Sequence, residues 1–354
     1  MIVLYILCIF FSISPFFPVF GSPHWFFRMP DFVRLQSIVL QLILLVLLAI
    51  FGWPLSTFEW ILAIGLLASA VYQLVKVFRY SSLHPRKKPN FPSNGCVSIL
   101  AANVFQDNHD FDSFLAEVKR FDPDIVLTME SNMAWQQGII SLEHDYPYSE
   151  KFPLENYYGM HLFCKKPLKN LTSQCQVEED VPSIYFDYEL DSGQDVFFAC
   201  LHPAPPSPTE NETSKERDAE LMLTGHHIRE VEKPTVVCGD MNDVVRSRTT
   251  RLFKKMTGMI DPRIGRGFFP TYHAGYWFMR FPLDHLFHTE DLFVKEMVRT
   301  KNFGSDHFGM YYEIHHKKKA PAATNPELET EDKEEIEELL DRVETPMPAG
   351  NFRK

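Results

Sequence analysis

The first eighty residues contain three stretches without a charged side chain: Ile2–Phe20, residues 35–51 and residues 60–75. Each is about the sixteen to twenty residues that a tilted helix needs to cross a bilayer. Inside hydrocarbon every backbone N–H and C=O must find an internal partner, which leaves the helix as the structure open to such a stretch. Trp25, Trp53 and Trp60 lie near the stretch ends, where amphipathic rings collect at membrane interfaces. A buried hairpin of a soluble domain would account for one or two such segments more readily than three in succession. A cleaved leader ending near Gly21-Ser22 would need a basic start that the chain lacks, and Pro15 and Pro18 interrupt its core. Residues 1–80 are therefore expected to be a multi-pass transmembrane anchor of about three helices, with the lipid bilayer as a partner and the cell membrane as the location. Arg28 and Arg34 follow the first stretch, and Lys76, Arg79, Arg86, Lys87 and Lys88 follow the third. On the positive-inside rule both flanks are cytoplasmic.

Residues 81–95, with Pro85, Pro89 and Pro92 around a basic cluster, read as a linker into a soluble domain over residues 96–316. The domain opens on an apolar run, residues 96–104, closed by Asn103. Phe111, Phe114, Leu115 and Val118 then recur at helical spacing over residues 110–121, and a second apolar run, 125–129, ends in Glu130. A strand, a helix and a strand, each strand ending polar, is the rhythm of an α/β sheet. Residues 135–142 read as helix, and 157–164 as a half-buried antiparallel strand by alternation. Residues 184–190 and 196–201 read as a hairpin whose second arm ends in His202 before the proline-rich stretch 203–208. A helix over 215–230 leads to Thr235-Val236-Val237-Cys238-Gly239-Asp240-Met241-Asn242-Asp243, a buried strand that delivers polar side chains to one edge of a sheet. Further elements are a helix at 249–257, strands at 281–287 and 293–298, and a last strand over 305–313 that Ser305-Asp306-His307 opens.

Charge separates the tail from this domain. The net charge is −11, and residues after Ala320 carry ten acidic side chains against four basic ones, or −6 of that total. The remainder is only mildly acidic, which argues against a broad basic patch for non-specific duplex binding but leaves a nucleic-acid substrate open. Within the tail, residues 317–354, one side of the segment 327–344 carries Ile336, Leu339, Leu340 and Val343. It reads as a solvated helix or disordered tail, with a protein partner for that apolar side as the alternative. The six cysteines contain no Cys-x-x-Cys pair, so a structural zinc site is not indicated.

The polar residues at the strand ends, in order, are Asn103, Glu130, His202, Asp240, Asn242, Asp284, Asp306 and His307. Singly, a strand-end Asn or Glu is commonly a cap, and Asp-His beside Ser an Asx-turn. As an ordered set, with Gly239-Asp240-Met241-Asn242, Leu283-Asp284-His285 and Ser305-Asp306-His307, they resemble the endonuclease/exonuclease/phosphatase superfamily. That group includes deoxyribonuclease I, apurinic-site endonucleases, neutral sphingomyelinases and inositol phosphatases. The resemblance implies a four-layer α/β sandwich, two packed mixed β-sheets flanked by helices, and a metal-dependent hydrolase acting on phosphate esters.

It also implies roles. Glu130, with Asn103 and Asp306 close by, would hold Mg²⁺, or Mn²⁺ in its place. His307, oriented by Asp284, would be the general base or a phosphate contact, Asp240 would orient or deprotonate the attacking water, and Asn242 and His202 would hold phosphate oxygens. Tyr272 and His161 are expected to line the pocket, with 203–208 and 268–272 as its walls. Asn103-Val104-Phe105-Gln106 lacks the carboxylate that some nucleases carry just after this Asn, so a second metal ligand is not expected there. The Tyr of apurinic-site endonucleases has no counterpart; His202 takes its location. The substrate class implied is a phosphodiester, nuclease-like, with a phospholipid or inositol-phosphate head group as the alternative and a catalytically silent phospho-ligand receptor as the second. The Lys and Arg count places this domain inside, whereas bacterial members with similar spans look built to place it on the extracytoplasmic side; of these two opposed expectations the extracytoplasmic side is the one taken here.

Overall fold

A computed structural model describes residues 1–85, 92–207, 211–318 and 325–343. Arg86, Lys87, Lys88 and Pro89 of the basic linker, Pro208 and the end of the acidic tail lie outside the described residues. The chain divides into two compact units, Met1–Arg86 with Arg246–Arg248 and Arg263–Phe268, and the remainder.

The first unit holds three helical segments long and apolar enough to cross a membrane: Ile2–Phe20, Arg34–Gly52 and Thr57–Phe78, of mean hydropathy 2.3, 2.5 and 2.0. The first is an α-helix, α1 (Ile2–Ile13), that tightens into a 3₁₀ turn over Ser14–Phe20. Pro15 and Pro18 withdraw two backbone donors there, and the regular ladder stops. A short helix that the sequence pattern did not signal, α2 (Trp25–Phe32), precedes α3 (Arg34–Gly52) and α4 (Thr57–Phe78). Cys8, Leu44, Leu48, Leu62 and Leu66 pack the interior of α1, α3 and α4. Polar groups add to it: Gln41 Nε2 donates to Ser69 Oγ at 3.0 Å, and Gln73 Nε2 donates to Gln41 Oε1 at 2.9 Å. Interhelical amide bonds of this kind hold apolar helices together where lipid offers no hydrophobic drive.

The second unit is an α/β sandwich of two mixed sheets flanked by helices. Its strands are β1 (Ser93–Asn103), β2 (Ile125–Met129), β3 (Tyr148–Phe152), β4 (Met160–Cys164), β5 (Lys169–Cys175), β6 (Pro182–Glu189), β7 (Asp195–Leu201), β8 (Thr235–Asp240), β9 (Asp284–His288), β10 (Leu292–Arg299) and β11 (Met310–Lys317). One sheet runs β10-β11-β1-β2-β4-β3 and the other β5-β6-β7-β8-β9. Each contains one parallel pair, β1 with β2 and β7 with β8, and every other pairing is antiparallel. A parallel pair needs a crossover, which α5 (Phe111–Phe121) and α7 (Lys215–Glu230) supply, and two shorter helices, α6 (Met133–Gly138) and α8 (Arg248–Thr257), follow β2 and β8.

Side-chain parity explains why the parallel strands read as continuous apolar runs. On β1, Val97, Ile99 and Ala101 enter the core between the sheets, while Leu100 and Ala102 enter a second core beneath α5 with Phe114, Val118 and Trp135. With both faces covered, polar residues have no solvent side to occupy. The inter-sheet core also draws on β6, β7 and β8.

Several elements depart from the sequence reading. β4 is buried throughout rather than half-buried, because Met160, Leu162 and Cys164 face the core between the sheets and Phe163 faces the core beneath α5. β3 and β5 carried no signal; both are edge strands, partly exposed and rich in polar residues, as edges tend to be. The strand expected from residue 281 begins at Asp284, and the one expected from 305 begins at Met310, so Ser305-Asp306-His307 lies in the turn ahead of β11. In the tail, α9 (Thr330–Asp341) buries Ile336 and Leu339 and packs on α7, giving the apolar side an occupant within the chain.

Candidate active site

Asn103 continues the inward-facing series of Val97, Ile99 and Ala101, and Asp240 continues that of Val236 and Cys238. Cys200 points inward from β7, and His202 follows it by two; Leu286 points inward from β9, and Asp284 precedes it by two. Period-two alternation therefore turns four polar side chains into the gap between the sheets where the apolar filling ends. All four are buried. Asn103 Nδ2 of one sheet donates to Asp240 Oδ2 of the other at 3.1 Å, and to Glu130 Oε1 at 2.7 Å. Its Oδ1 accepts from Phe105 N–H at 3.0 Å, an Asx-turn that fixes the amide.

Asp240 and Asp284 are directly opposed in the β8–β9 register. Like charges in that position repel. His307 resolves the conflict: its Nδ1 donates to Asp284 Oδ2 at 2.9 Å and its Nε2 lies 3.6 Å from Asp240 Oδ2. Burial alone would lower the imidazole and raise the Asp284 carboxyl, favouring a neutral pair. The Asp284 and Asp240 carboxylates outweigh that penalty and push His307 up to about 10. His307 is therefore an imidazolium at neutral pH. His202 goes the other way, lowered to about 4 chiefly by burial, and its Nδ1 is buried with no hydrogen-bond partner. A buried polar atom of that kind costs about 1–3 kcal/mol until something bonds it.

Backbone conformation at the site is unusual. Glu130 and Asn242 both have left-handed φ, 56° and 48°. Asn tolerates this region and Glu does so only under tertiary constraint. Gly239, at φ 140°, could carry no side chain at all, since a Cβ would stand 1.9 Å from Leu201 O. In the turn beyond, Asn242 N–H donates to Asp240 Oδ1 at 2.9 Å and Asn242 Nδ2 to Pro203 O at 3.1 Å, tying the Asp240 turn to the segment after His202.

Glu130 is pushed up to about 7, mainly by burial, with the Asn103 hydrogen bond and His307 pulling back. Asp306 is partly exposed, and its Oδ1 is buried with no hydrogen-bond partner. Four carboxylates, Glu130, Asp240, Asp284 and Asp306, thus act on one imidazolium. The excess negative charge and the unused oxygen fit a hard divalent cation, which takes oxygen ligands. Asp240, Asp284 and His307 also present atoms within 4.8 Å of one another, an arrangement able to hold a metal. Since His307 directs Nδ1 at Asp284 and Nε2 toward Asp240, a metal there would have to displace the imidazolium.

Tyr272 reaches this group: its ring centroid is 4.8 Å from that of His307. His161, the other expected lining residue, is fully buried and bonds Ser131 and Gln136 instead, so it belongs to the packing of β4. Other contributors were not assigned a role from sequence. Ser305 Oγ donates to Asn103 O at 2.9 Å and accepts from His307 N–H at 2.9 Å, clamping the β11 turn to the end of β1. Thr271 Oγ1 accepts from the backbone of Leu283 and of Asp284, both at 3.2 Å. Arg217 is buried in an ion cluster with Asp218, at 2.8 Å, and Asp243, at 3.5 Å, and donates to Asn242 O at 2.9 Å. The serine adjoining Asp306 was a legible signal; Thr271 and Arg217 act through contacts that no local pattern reveals.

Comparison with solved structures places the same fold in the human Nocturnin catalytic domain with bound sulfate (TM-score 0.51, 16% identity, 64% of this chain and 96% of that one). TDP2 from C. elegans (0.51, 15%, 80% and 93%) and an endonuclease/exonuclease/phosphatase from Beutenbergia cavernae (0.51, 14%, 63% and 72%) are similar to the same degree. Among curated proteins none matches the chain significantly. The sequence model of the endonuclease/exonuclease/phosphatase family matches residues 100–307, a span that opens on β1 and closes on His307. With the paired sheets and their shared polar edge inside that span, the chain belongs to the endonuclease/exonuclease/phosphatase family.

Proposed function

We propose that the chain is a membrane-anchored, divalent-metal-dependent phosphoesterase that hydrolyses a phosphodiester by in-line attack of water. The observation that carries this reading is the His307 ring held between Asp284 and Asp240 at the polar edge shared by both sheets. Glu130 and Asp306 would hold Mg²⁺, with Mn²⁺ as a substitute, and Asn103 would fix Glu130 through its amide. The metal would supply charge neutralisation at the phosphoryl oxygens.

The remaining roles belong to side chains. Held as a cation, His307 is suited to donate to a phosphoryl oxygen rather than to take a proton, and Asp284 fixes its orientation. Asp240, anchored by Asn103 and by the Asn242 N–H, is the acceptor for the proton of the attacking water. His202 directs its unpartnered nitrogen to a phosphate oxygen, Asn242 stands beside it, and Tyr272 forms the wall. Residues 1–80 serve as anchor, 81–95 as linker, 96–316 as catalytic domain and 317–354 as tail, with the catalytic domain on the extracytoplasmic side; topology reporters fused after Lys88 test the side.

The full-length protein, assayed on bis(p-nitrophenyl) phosphate, duplex and single-stranded DNA, sphingomyelin and phosphoinositides, should hydrolyse at least one. EDTA should abolish the activity and Mg²⁺ restore it. Mg²⁺ binding with no turnover of any of these would favour the receptor reading.

A further inference from the structure

Nine large hydrophobic side chains are exposed among the described residues of the catalytic unit, and four of them are consecutive: Tyr276, Trp277, Phe278 and Met279. Trp277 is 80% exposed, more than any other in the unit. Soluble surfaces scatter such residues singly, and a contiguous run marks a contact with something apolar.

This run is the tip of a short excursion rooted in the active site. Tyr272 pairs with Phe281 at the base, and His273 N–H donates to Met279 O at 3.2 Å. On the site side, Tyr272 also bridges to His307, and Ala274 N–H donates to Asp306 O at 2.6 Å. The residues that close the loop thus touch both His307 and Asp306. At the root, Arg280 and Arg299 lie over the Phe308 ring at 5.1 and 4.1 Å, and Arg280 Nη2 donates to Ala274 O at 3.1 Å. Both arginines are partly exposed residues, and they bring positive charge to the root of the loop, beside an otherwise acidic site.

Trp and Tyr beside Phe and Met, with Arg at the base, is the composition that settles at a bilayer interface, rings among the headgroups and cations against phosphate. The same chain carries three helices able to span a membrane, so a lipid surface is the partner it meets at high effective concentration. A stacking platform for single-stranded nucleic acid would also use exposed rings, but it works with a basic groove along the backbone, and this chain is acidic.

We infer that the 275–280 loop docks in the bilayer interface and seats the active-site mouth on the lipid surface, so that the phosphodiester hydrolysed is that of a membrane lipid head group. This rests on the phosphoesterase reading above for its chemistry, but the docking does not.

Two measurements separate these. First, wild type and Trp277→Phe, full length, are reconstituted in phosphatidylcholine/phosphatidylglycerol vesicles, and their fluorescence difference isolates Trp277. It should be blue-shifted, quenched by lipid brominated near the headgroup and shielded from iodide; a Trp277 signal open to iodide and untouched by brominated lipid overturns docking. Second, the Tyr276→Ser/Trp277→Ser/Phe278→Ser variant is compared with wild type in Mg²⁺. Hydrolysis of vesicle-embedded sphingomyelin or phosphatidylinositol should fall tenfold or more, while bis(p-nitrophenyl) phosphate turnover stays within twofold. Equal loss on both, or loss confined to single-stranded DNA, overturns the lipid assignment. Wild type inactive on every substrate removes the phosphoesterase reading and the lipid-substrate assignment with it, while the fluorescence result still decides docking.

Discussion

His307 shows how the site resolves a packing conflict. Two opposed aspartates on neighbouring strands would repel, and the imidazolium between them removes the conflict while acquiring a proton it holds up to about pH 10. Replacing His307 by Ala should lower kcat by about 10²–10⁴-fold, the usual worth of a positioned proton-transfer or donor group, with circular dichroism unchanged. Asp284→Asn should lose less, because the ring keeps a neutral partner. Glu130 makes a second prediction. Raised to about 7 mainly by burial, it must lose its proton to bind a cation. Mg²⁺ affinity measured by calorimetry should therefore rise about tenfold per pH unit below 7 and level off above it, and Glu130→Gln should remove the slope. The residue types were readable in sequence, because each stands at the end of an apolar run. What each touches was not: the Asn103 amide bonds Glu130, at the end of β2 in its own sheet, and Asp240 on the other.

Strands and turns set where those side chains arrive. The C-terminal ends of the two parallel pairs deliver Asn103, Glu130, His202 and Asp240, and the entries to β9 and β11 deliver Asp284 and His307. Period-two alternation made the inward direction of Asp240 legible from Val236 and Cys238. Gly239 lets that strand approach β7, and Gly239→Ala should destabilise the full-length protein by more than about 2 kcal/mol, since both the positive φ and the Leu201 carbonyl oppose a Cβ. Chemical denaturation followed by the fluorescence difference between proteins with and without the Trp135→Phe substitution, at a site buried beneath α5, would measure it. Edge strands β3 and β5 escaped the sequence reading for the same physical reason that β1 and β8 did not. Burial on both faces writes a continuous apolar run, whereas exposure on one side leaves a polar mixture indistinguishable from loop.

Across the entire chain, the pairing of a buried histidine with its carboxylates ties stability to pH. Because the folded pKa of His307 lies above its unfolded value near 6.5, its contribution is complete below pH 6.5 and is lost as pH rises toward about 10. Thermal scans of the metal-free protein should show stability falling between pH 7 and 9 by up to about 1.4 kcal/mol per unit from this proton, and His307→Gln should flatten that part of the slope. The sequence alone determined the apolar spans, the α/β rhythm and the ordered set of strand-end polar residues, since hydropathy and periodicity are properties of neighbours along the chain. Tertiary structure decided what those residues do together. The Asp240–His307–Asp284 arrangement, the Asn103 bridge between sheets and the aromatic loop rooted at Tyr272 join positions up to 137 residues apart, and only packing two sheets face to face brings them within reach of one another.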